Sequence, residues 1–171
     1  MVRKNTKKPI KITRRSLIQV AKDYLNLSVE ERPVKLAEIG DFAECSGTPV
    51  DCVKLALDQF YKDRRPDLVI GGINHGDNSS VNNHYSGTMG VAKEGCMQHI
   101  PSIAFSSCNY DENADLSPLR DGVAQVVKMV LEKGLPKYTC LNVNFPAQPP
   151  FKGFKACRMT HGCSRYWFYY G

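Results

Sequence analysis

Three short runs predict strands, of which the first two follow a proline, contain β-branched or aromatic residues and are expected to be buried, and the third ends at Phe145-Pro146. These runs span residues 67–70, 102–106 and 140–144. Apolar residues at helical spacing predict two amphipathic helices, one over 48–60 and one that begins at Ser117 and has Gly134 as its stop. Alternating strands and helices are typical of βαβ units. We therefore expect an α/β fold with a mostly parallel sheet and helices on both of its faces.

The first third of the chain has weaker patterns. Residues 34–36 and 42–45 are candidate strand pieces, with Gly40-Asp41 as the turn between them. Residues 16–27 carry apolar side chains at helical spacing and predict one short helix. The rest of 1–33 has no pattern that assigns it to an element.

The stretch 66–95 is the best candidate for a ligand site. The apolar run 67–70 ends in Gly71 and Gly72, which predict a turn together with Gly76, and a new helix is expected to begin near Ser86. In open α/β sheets, ligands bind beyond the carboxyl ends of the strands. A helix N-terminus also offers free backbone N–H groups to an anion. The loop between these elements is therefore predicted to bind phosphate.

Side chains of this loop have the chemistry that a phosphate needs. Asn74 and Asn78 supply amide donors, and Ser86 and Thr88 supply hydroxyls on either side of Gly87. Each also has a purely structural interpretation, since asparagine is common in turns and serine or threonine commonly caps helices. Two histidines of the same loop, at 75 and 84, are interpreted as solvent-exposed residues without a role, with assistance to a leaving group or metal as the alternative.

The charge is concentrated at one end of the chain. The net charge is +6, yet the first fifteen residues contain seven cationic side chains and no acidic one. The other 156 residues carry 16 basic against 17 acidic side chains, a net charge of −1. A basic end of this kind is typical of a solvated segment; contact with nucleic acid or anionic lipid is the alternative.

Seven cysteines without a C-x-x-C pair indicate neither a disulfide framework nor a zinc site, and buried free thiols are expected. No apolar stretch approaches the roughly 18 residues of a membrane span, and no apolar segment of a signal peptide follows the basic start. A cytoplasmic protein without membrane contact is the prediction.

Four motifs resemble successive core motifs of one family. They are CSGTPVDCVKLAL, PDLVIGGINHGDN, HYSGTMGVAKEG and IPSIAFS. In order and spacing this set is similar to the SurE family, the stationary-phase survival proteins. The resemblance covers residues 34–158 and implies a Rossmann-like three-layer core, flanked by a basic segment 1–33 and an aromatic tail 159–171 that do not match.

The resemblance also implies a function, namely metal-dependent hydrolysis of nucleoside 5'- and 3'-monophosphates by a phosphatase of the nucleotidase class. By position, Asn74 corresponds to a ligand of one Mg²⁺ or Mn²⁺ ion. The phosphate pocket carries over to Asn78, Ser86, Gly87 and Thr88. No catalytic residue can be named. The expected partner is a nucleoside monophosphate or another phosphomonoester, and self-association into a homo-oligomer is an open alternative to a monomer.

The Asp-Asp-Gly motif that ends the family's first strand has no counterpart in this sequence. The first strand of the fold is therefore expected to be missing, and catalysis to be impaired because metal-bound water and charge neutralisation depend on those carboxylates. Residues 1–33 and 159–171 are interpreted either as products of a truncated or frame-disrupted family member or as true sequence of an inactive relative.

Three functional hypotheses remain open. The first is the metal-dependent nucleotidase, and the second is a non-catalytic phosphate- or nucleotide-binding remnant of the same fold. A third, nucleic-acid binding by the basic and aromatic ends, is disfavoured. Dinucleotide binding is also disfavoured, because no strand is followed by G-x-G-x-x-G.

Overall fold

A parallel three-stranded sheet forms the centre of the molecule. The computed structural model describes residues 10–13, 36–39 and 42–159. Its strands lie in the order β4 (Val69–His75), β5 (Ser102–Ser107) and β6 (Leu141–Phe145), and both neighbouring pairs are parallel. All six residues of β5 are buried, as expected for a central strand covered on both faces. The three predicted strands are therefore confirmed.

Helices cover both faces of this sheet. They are α1 (Pro49–Gln59), α2 (Asn82–Tyr85), α3 (Gly87–Met97) and α4 (Arg120–Lys133), the last preceded by a short 3-10 turn over Ser117–Leu119. Val53 of α1 and Val91 of α3 pack with Val69 in one apolar cluster. On the other face, α4 packs against Phe105 in a second cluster. The predicted α/β class with three layers is confirmed.

Helix α1 begins with a capping box. Thr48 Oγ1 accepts from the backbone N–H of Asp51 at 3.3 Å, and Asp51 Oδ2 accepts from the backbone N–H of Thr48 at 2.8 Å. Both bonds satisfy donors that a helix leaves free at its start. Helix α4 ends at its predicted stop, Gly134, which has a φ of 70°, a backbone conformation that favours glycine.

The prediction of a turn at Gly71 and Gly72 is wrong, since β4 continues through both to His75. Close packing explains these glycines. A Cβ on Gly71 would lie 2.6 Å from the carbonyl oxygen of Thr88 in α3. Gly72 has a φ of 102°, and a Cβ there would collide with the carbonyl oxygen of Phe105. The two glycines therefore let β4 approach α3 and β5 closely.

A second, antiparallel sheet lies outside the parallel one. Strand β3 (Phe42–Cys45) pairs on one side with β2 (Leu36–Ile39) and on the other with β1 (Ile10–Thr13). The strand predicted over 42–45 is confirmed, and its predicted neighbour lies two or three residues further along the chain. Strand β1 falls in the segment that sequence patterns did not assign. The helix predicted over 16–27 lies outside the described residues.

The prediction of buried free thiols holds for Cys45 and Cys52, whereas the other described cysteines are partly exposed (Cys96, Cys108, Cys140) or exposed (Cys157). A hydrogen bond from Cys52 lowers the pKa of Cys45 to about 7.

None of the described helices has both the length and the apolar character needed to cross a membrane.

Candidate phosphate and metal site

The predicted site residues lie at the carboxyl ends of the parallel strands. Asn74 is the penultimate residue of β4, and its register partner on β5 is Ser106. The loop 76–81 follows, and α2 leads into the N-terminus of α3. Because Gly71 brings the first turn of α3 against β4, strand ends and helix start share one edge of the sheet.

The N-terminus of α3 presents free backbone donors. Ser86 is its N-cap, and its Oγ accepts from the backbone N–H of Met89 at 3.1 Å. The backbone N–H of Gly90 donates to the Ser86 carbonyl at 2.9 Å. Within the described part of the chain, the backbone N–H groups of Gly87 and Thr88 have no acceptor. Two amides therefore remain free at the positive end of an eleven-residue helix.

Asn74 and Asn78 are brought together, but they differ in exposure. The Asn74 amide nitrogen, Nδ2, donates to the carbonyl of Gly76 at 2.9 Å and to Asn78 Oδ1 at 3.5 Å. No donor among the described residues reaches Asn74 Oδ1, so this oxygen is available to a ligand. Asn78 is only 2% exposed, and its Nδ2 donates to Ser106 Oγ. Asn78 therefore belongs to the floor of the site.

Two asparagines of β6 join this group, and sequence reasoning did not select them. Asn144 Oδ1 accepts from the backbone N–H of Asn78 at 2.8 Å, and Asn142 Nδ2 donates to the Asn78 carbonyl at 2.7 Å. The signal was present in the sequence, because Leu141–Phe145 alternates apolar residues with asparagine. Alternation places both asparagines on one face of the strand.

A hydrogen bond joins Asp77 of the loop 76–81 to Tyr110. Asp77 Oδ1 accepts from the backbone N–H of Ser79 at 2.9 Å, and Tyr110 OH donates to Oδ2. Partial burial raises the pKa of Asp77, but the hydrogen bonds from Ser79 and Tyr110 outweigh it and leave that pKa below its usual value. The bond to Asp77 raises the pKa of Tyr110. Both carboxylate oxygens are thus already used by the protein.

The two loop histidines are not equivalent. Nδ1 of His75 is buried without a hydrogen-bond partner within the described ranges, whereas His84 is an exposed residue at the end of α2. His75 was predicted to lie in an exposed loop, but it is the last residue of β4 and is partly buried.

Comparison with known proteins decides the family. A family model described as "Survival protein SurE" matches residues 6–166. The chain belongs to the SurE family. The match extends beyond the core expected over 34–158, and the division into a core and two flanking segments stays a prediction.

Relatives within the SurE family are named as nucleotidases. The chain is 58% identical over 120 residues to "5'-nucleotidase SurE" of Bacteroides thetaiotaomicron, covering 70% of this chain and 46% of that protein. It is 53% identical over 137 residues to "5'-nucleotidase SurE" of Phocaeicola vulgatus, covering 77% and 53%. The crystal structure of the SurE protein from Aquifex aeolicus superposes with a TM-score of 0.70 at 40% identity, covering 76% of this chain and 54% of that one. The chain spans about half the length of these relatives.

The donor set can be compared with the divalent cation that the SurE family implies. Mg²⁺ and Mn²⁺ prefer oxygen ligands, usually including one or two carboxylates. Asn74 Oδ1 is a free oxygen of the right kind, but both oxygens of Asp77 accept hydrogen bonds from Ser79 and Tyr110. The described residues contain no group of three His, Cys, Asp or Glu side chains placed to hold a metal. The described residues therefore supply one ligand, Asn74 Oδ1, and do not complete a site for a divalent cation.

Proposed function

We propose that this chain carries the phosphate-binding part of a phosphatase that acts on nucleoside 5'- and 3'-monophosphates. The observation that carries the proposal is the pair of free backbone amides at Gly87 and Thr88, beside the Ser86 hydroxyl, at the carboxyl edge of a parallel sheet. Free amides at a helix start bind phosphate oxygens in many proteins. The names of the SurE relatives point to the same substrate class.

In this proposal, Ser86, Gly87 and Thr88 hold the non-bridging phosphate oxygens. Asn78 contributes the second proton of Nδ2, because only one hydrogen bond from that amide, to Ser106, is made within the described residues. Asn74 supplies one oxygen ligand to a Mg²⁺ or Mn²⁺ ion. Such an ion, when bound, would neutralise charge on the phosphoryl group and activate a water. Cytoplasmic location is part of the same proposal.

The second candidate function is binding of phosphate or a nucleotide without hydrolysis, and the state of one carboxylate, Asp77, favours it. Asp77 is the one acidic residue in the loop 76–81, and its oxygens are occupied by Ser79 and Tyr110. A chain with one neutral metal ligand and an intact phosphate pocket would bind phosphate or a nucleotide without hydrolysing it. Both candidates would bind phosphate, but only the phosphatase would release it from a substrate.

The test measures phosphate release from AMP and from an aryl phosphate with Mn²⁺ or Mg²⁺, with and without chelator. The proteins are wild type, Asn74→Ala and Asn113→Ala. Asn113 is a matched control, since it is an exposed asparagine whose side chain makes no hydrogen bond within the described residues. Chelator-sensitive release that is lost only in Asn74→Ala supports the phosphatase. Binding of inorganic phosphate without release supports the non-catalytic candidate, and absence of both overturns the proposal.

A further inference from the structure

Strand β6 holds one residue of the loop by both of its backbone polar groups. The backbone N–H of Asn78 donates to Asn144 Oδ1 at 2.8 Å, and the Asn78 carbonyl accepts from Asn142 Nδ2 at 2.7 Å. Asn144 Nδ2 donates in turn to Asn142 Oδ1 at 3.0 Å. The three bonds form a closed ring, in which each amide oxygen accepts one bond and each amide nitrogen donates one.

The ring is built by the alternation of β6. Val143 and Phe145 point toward α4 and pack in the apolar cluster on that face. Asn142 and Asn144 consequently point to the opposite face, where the loop lies. There the two side-chain amides pair with the backbone N–H and C=O of Asn78, as a neighbouring strand would in a sheet. The contacts join residues 64 and 66 positions apart, so they fix the loop to the sheet.

The side chain of Asn78 connects this ring to Ser106 and to Asn74. From this anchored position, Asn78 Nδ2 donates to Ser106 Oγ, and Asn78 Oδ1 accepts from Asn74 Nδ2 at 3.5 Å. Asn74 Nδ2 is held by this bond and by the shorter one to the Gly76 carbonyl at 2.9 Å, and Asn74 Oδ1 has no donor among the described residues. A continuous series of hydrogen bonds thus runs from β6 through Asn78 to the proposed metal ligand.

We propose that Asn142 and Asn144 are positioning residues, which orient the Asn74 side chain and the loop at the phosphate pocket through the backbone of Asn78. This inference rests on the proposed function for its ligand, but its geometry can be measured on the free protein. Replacing residues that orient a metal ligand through hydrogen bonds typically costs about 10- to 100-fold in metal affinity or activity.

The experiment compares wild type with Asn142→Ala, Asn144→Ala and Val143→Ala. Val143→Ala is the matched control, because it truncates a side chain of the same strand on the opposite face. Nitrogen-15 spectra of the free proteins report the Asn78 backbone amide and the Asn74 side-chain amide. The proposal expects both signals to move or broaden in the two asparagine variants and to stay in place in Val143→Ala. Unchanged signals in the asparagine variants would overturn it.

Binding of inorganic phosphate, measured by calorimetry on the same four proteins, separates this inference from the proposed function. The expected result is a loss of roughly tenfold or more in the asparagine variants and little change in Val143→Ala, at matched thermal stability. Equal affinity in all four proteins would overturn the positioning role while the phosphate site stands. If wild type binds no phosphate, the proposed function fails, and the spectra of the free proteins alone decide whether β6 positions Asn74.

Discussion

The hydroxyl of Tyr110 donates a hydrogen bond to Oδ2 of Asp77, although the tyrosine side chain is 67% exposed. The same ring lies against the backbone of Gly76, where an added Cβ would come within 2.9 Å of the ring atom Cε1. Tyr110 is therefore held in place from two sides at the exit of β4. Its bond to Asp77 is one of the hydrogen bonds that lower the pKa of that carboxyl group.

Replacement of Tyr110 by phenylalanine is expected to raise the pKa of Asp77. Burial already raises that pKa, and the variant removes one of the hydrogen bonds that lower it. The carbon-13 signal of the Asp77 carboxyl group, followed during an acid titration, measures the change. Tyr138→Phe is the control, because Tyr138 is an exposed tyrosine that packs on His99, away from Asp77. An unchanged or lower pKa in Tyr110→Phe would contradict the assignment.

The lowered pKa of Asp77 also predicts the direction in which its contribution to stability changes with pH. A carboxylate whose folded pKa is depressed stabilises the fold above its unfolded pKa, and this contribution is lost as pH falls through the folded pKa. For Asp77 the loss is expected below its usual value of 3.8. The difference in melting temperature between wild type and Asp77→Asn should therefore shrink as the buffer is acidified from neutral pH through that range. A difference that grows on acidification would refute this sign.

Alanine at Gly72 is expected to destabilise the fold more than alanine at Gly134. Both glycines have positive φ values, 102° and 70°, so each substitution costs roughly 1–2 kcal/mol of backbone strain. Only at Gly72 would the new Cβ also collide with the carbonyl of Phe105, whereas nothing lies within 4 Å at Gly134. Free energies of unfolding from urea titrations measure both. Equal losses would show that β4 and β5 can separate at this point without cost.

Loss of the α1 cap is expected to cost about 1 kcal/mol of unfolding free energy. Thr48→Ala removes the acceptor for the Asp51 N–H, whereas Thr48→Ser retains a hydroxyl at the same position. The two variants should therefore differ by most of the cost, as read from urea unfolding. If Ser and Ala lose the same stability, the methyl group of Thr48 and not its hydrogen bond is responsible.

The elements with long apolar patterns could be predicted from the sequence, and the close contacts between them could not. The apolar stripe of α4 and the short apolar run of β5 are local patterns that indicate a helix and a strand. Gly71 and Gly72 look like a turn because paired glycines usually form one. Their actual role depends on Thr88 and Phe105, which approach them only in the folded chain. Strand β1 is only four residues long, and its pairing with β3 is long-range.

The candidate site shows the same division. The start of α3 could be predicted, because helix caps have local signals. Asn74 was expected in a loop, but it lies within β4, because the strand continues through Gly71 and Gly72. For β6, the sequence shows that Asn142 and Asn144 share one face of the strand, but it does not show their partner, because Asn78 is 64 and 66 residues away. Asparagines within a strand otherwise read as polar interruptions.

The most direct test of the phosphate site is a nitrogen-15 titration of the protein with inorganic phosphate, with and without Mg²⁺. Gly87 and Thr88 are expected to show the largest saturable amide shifts. Val50 and Asp51 provide an internal control, because the capping box and the Asp51 carboxylate close the N-terminus of α1 to anions. Shifts centred on Gly87 and Thr88 would support the account. Saturable shifts centred on Val50 and Asp51, or no saturable shift at all, would contradict it.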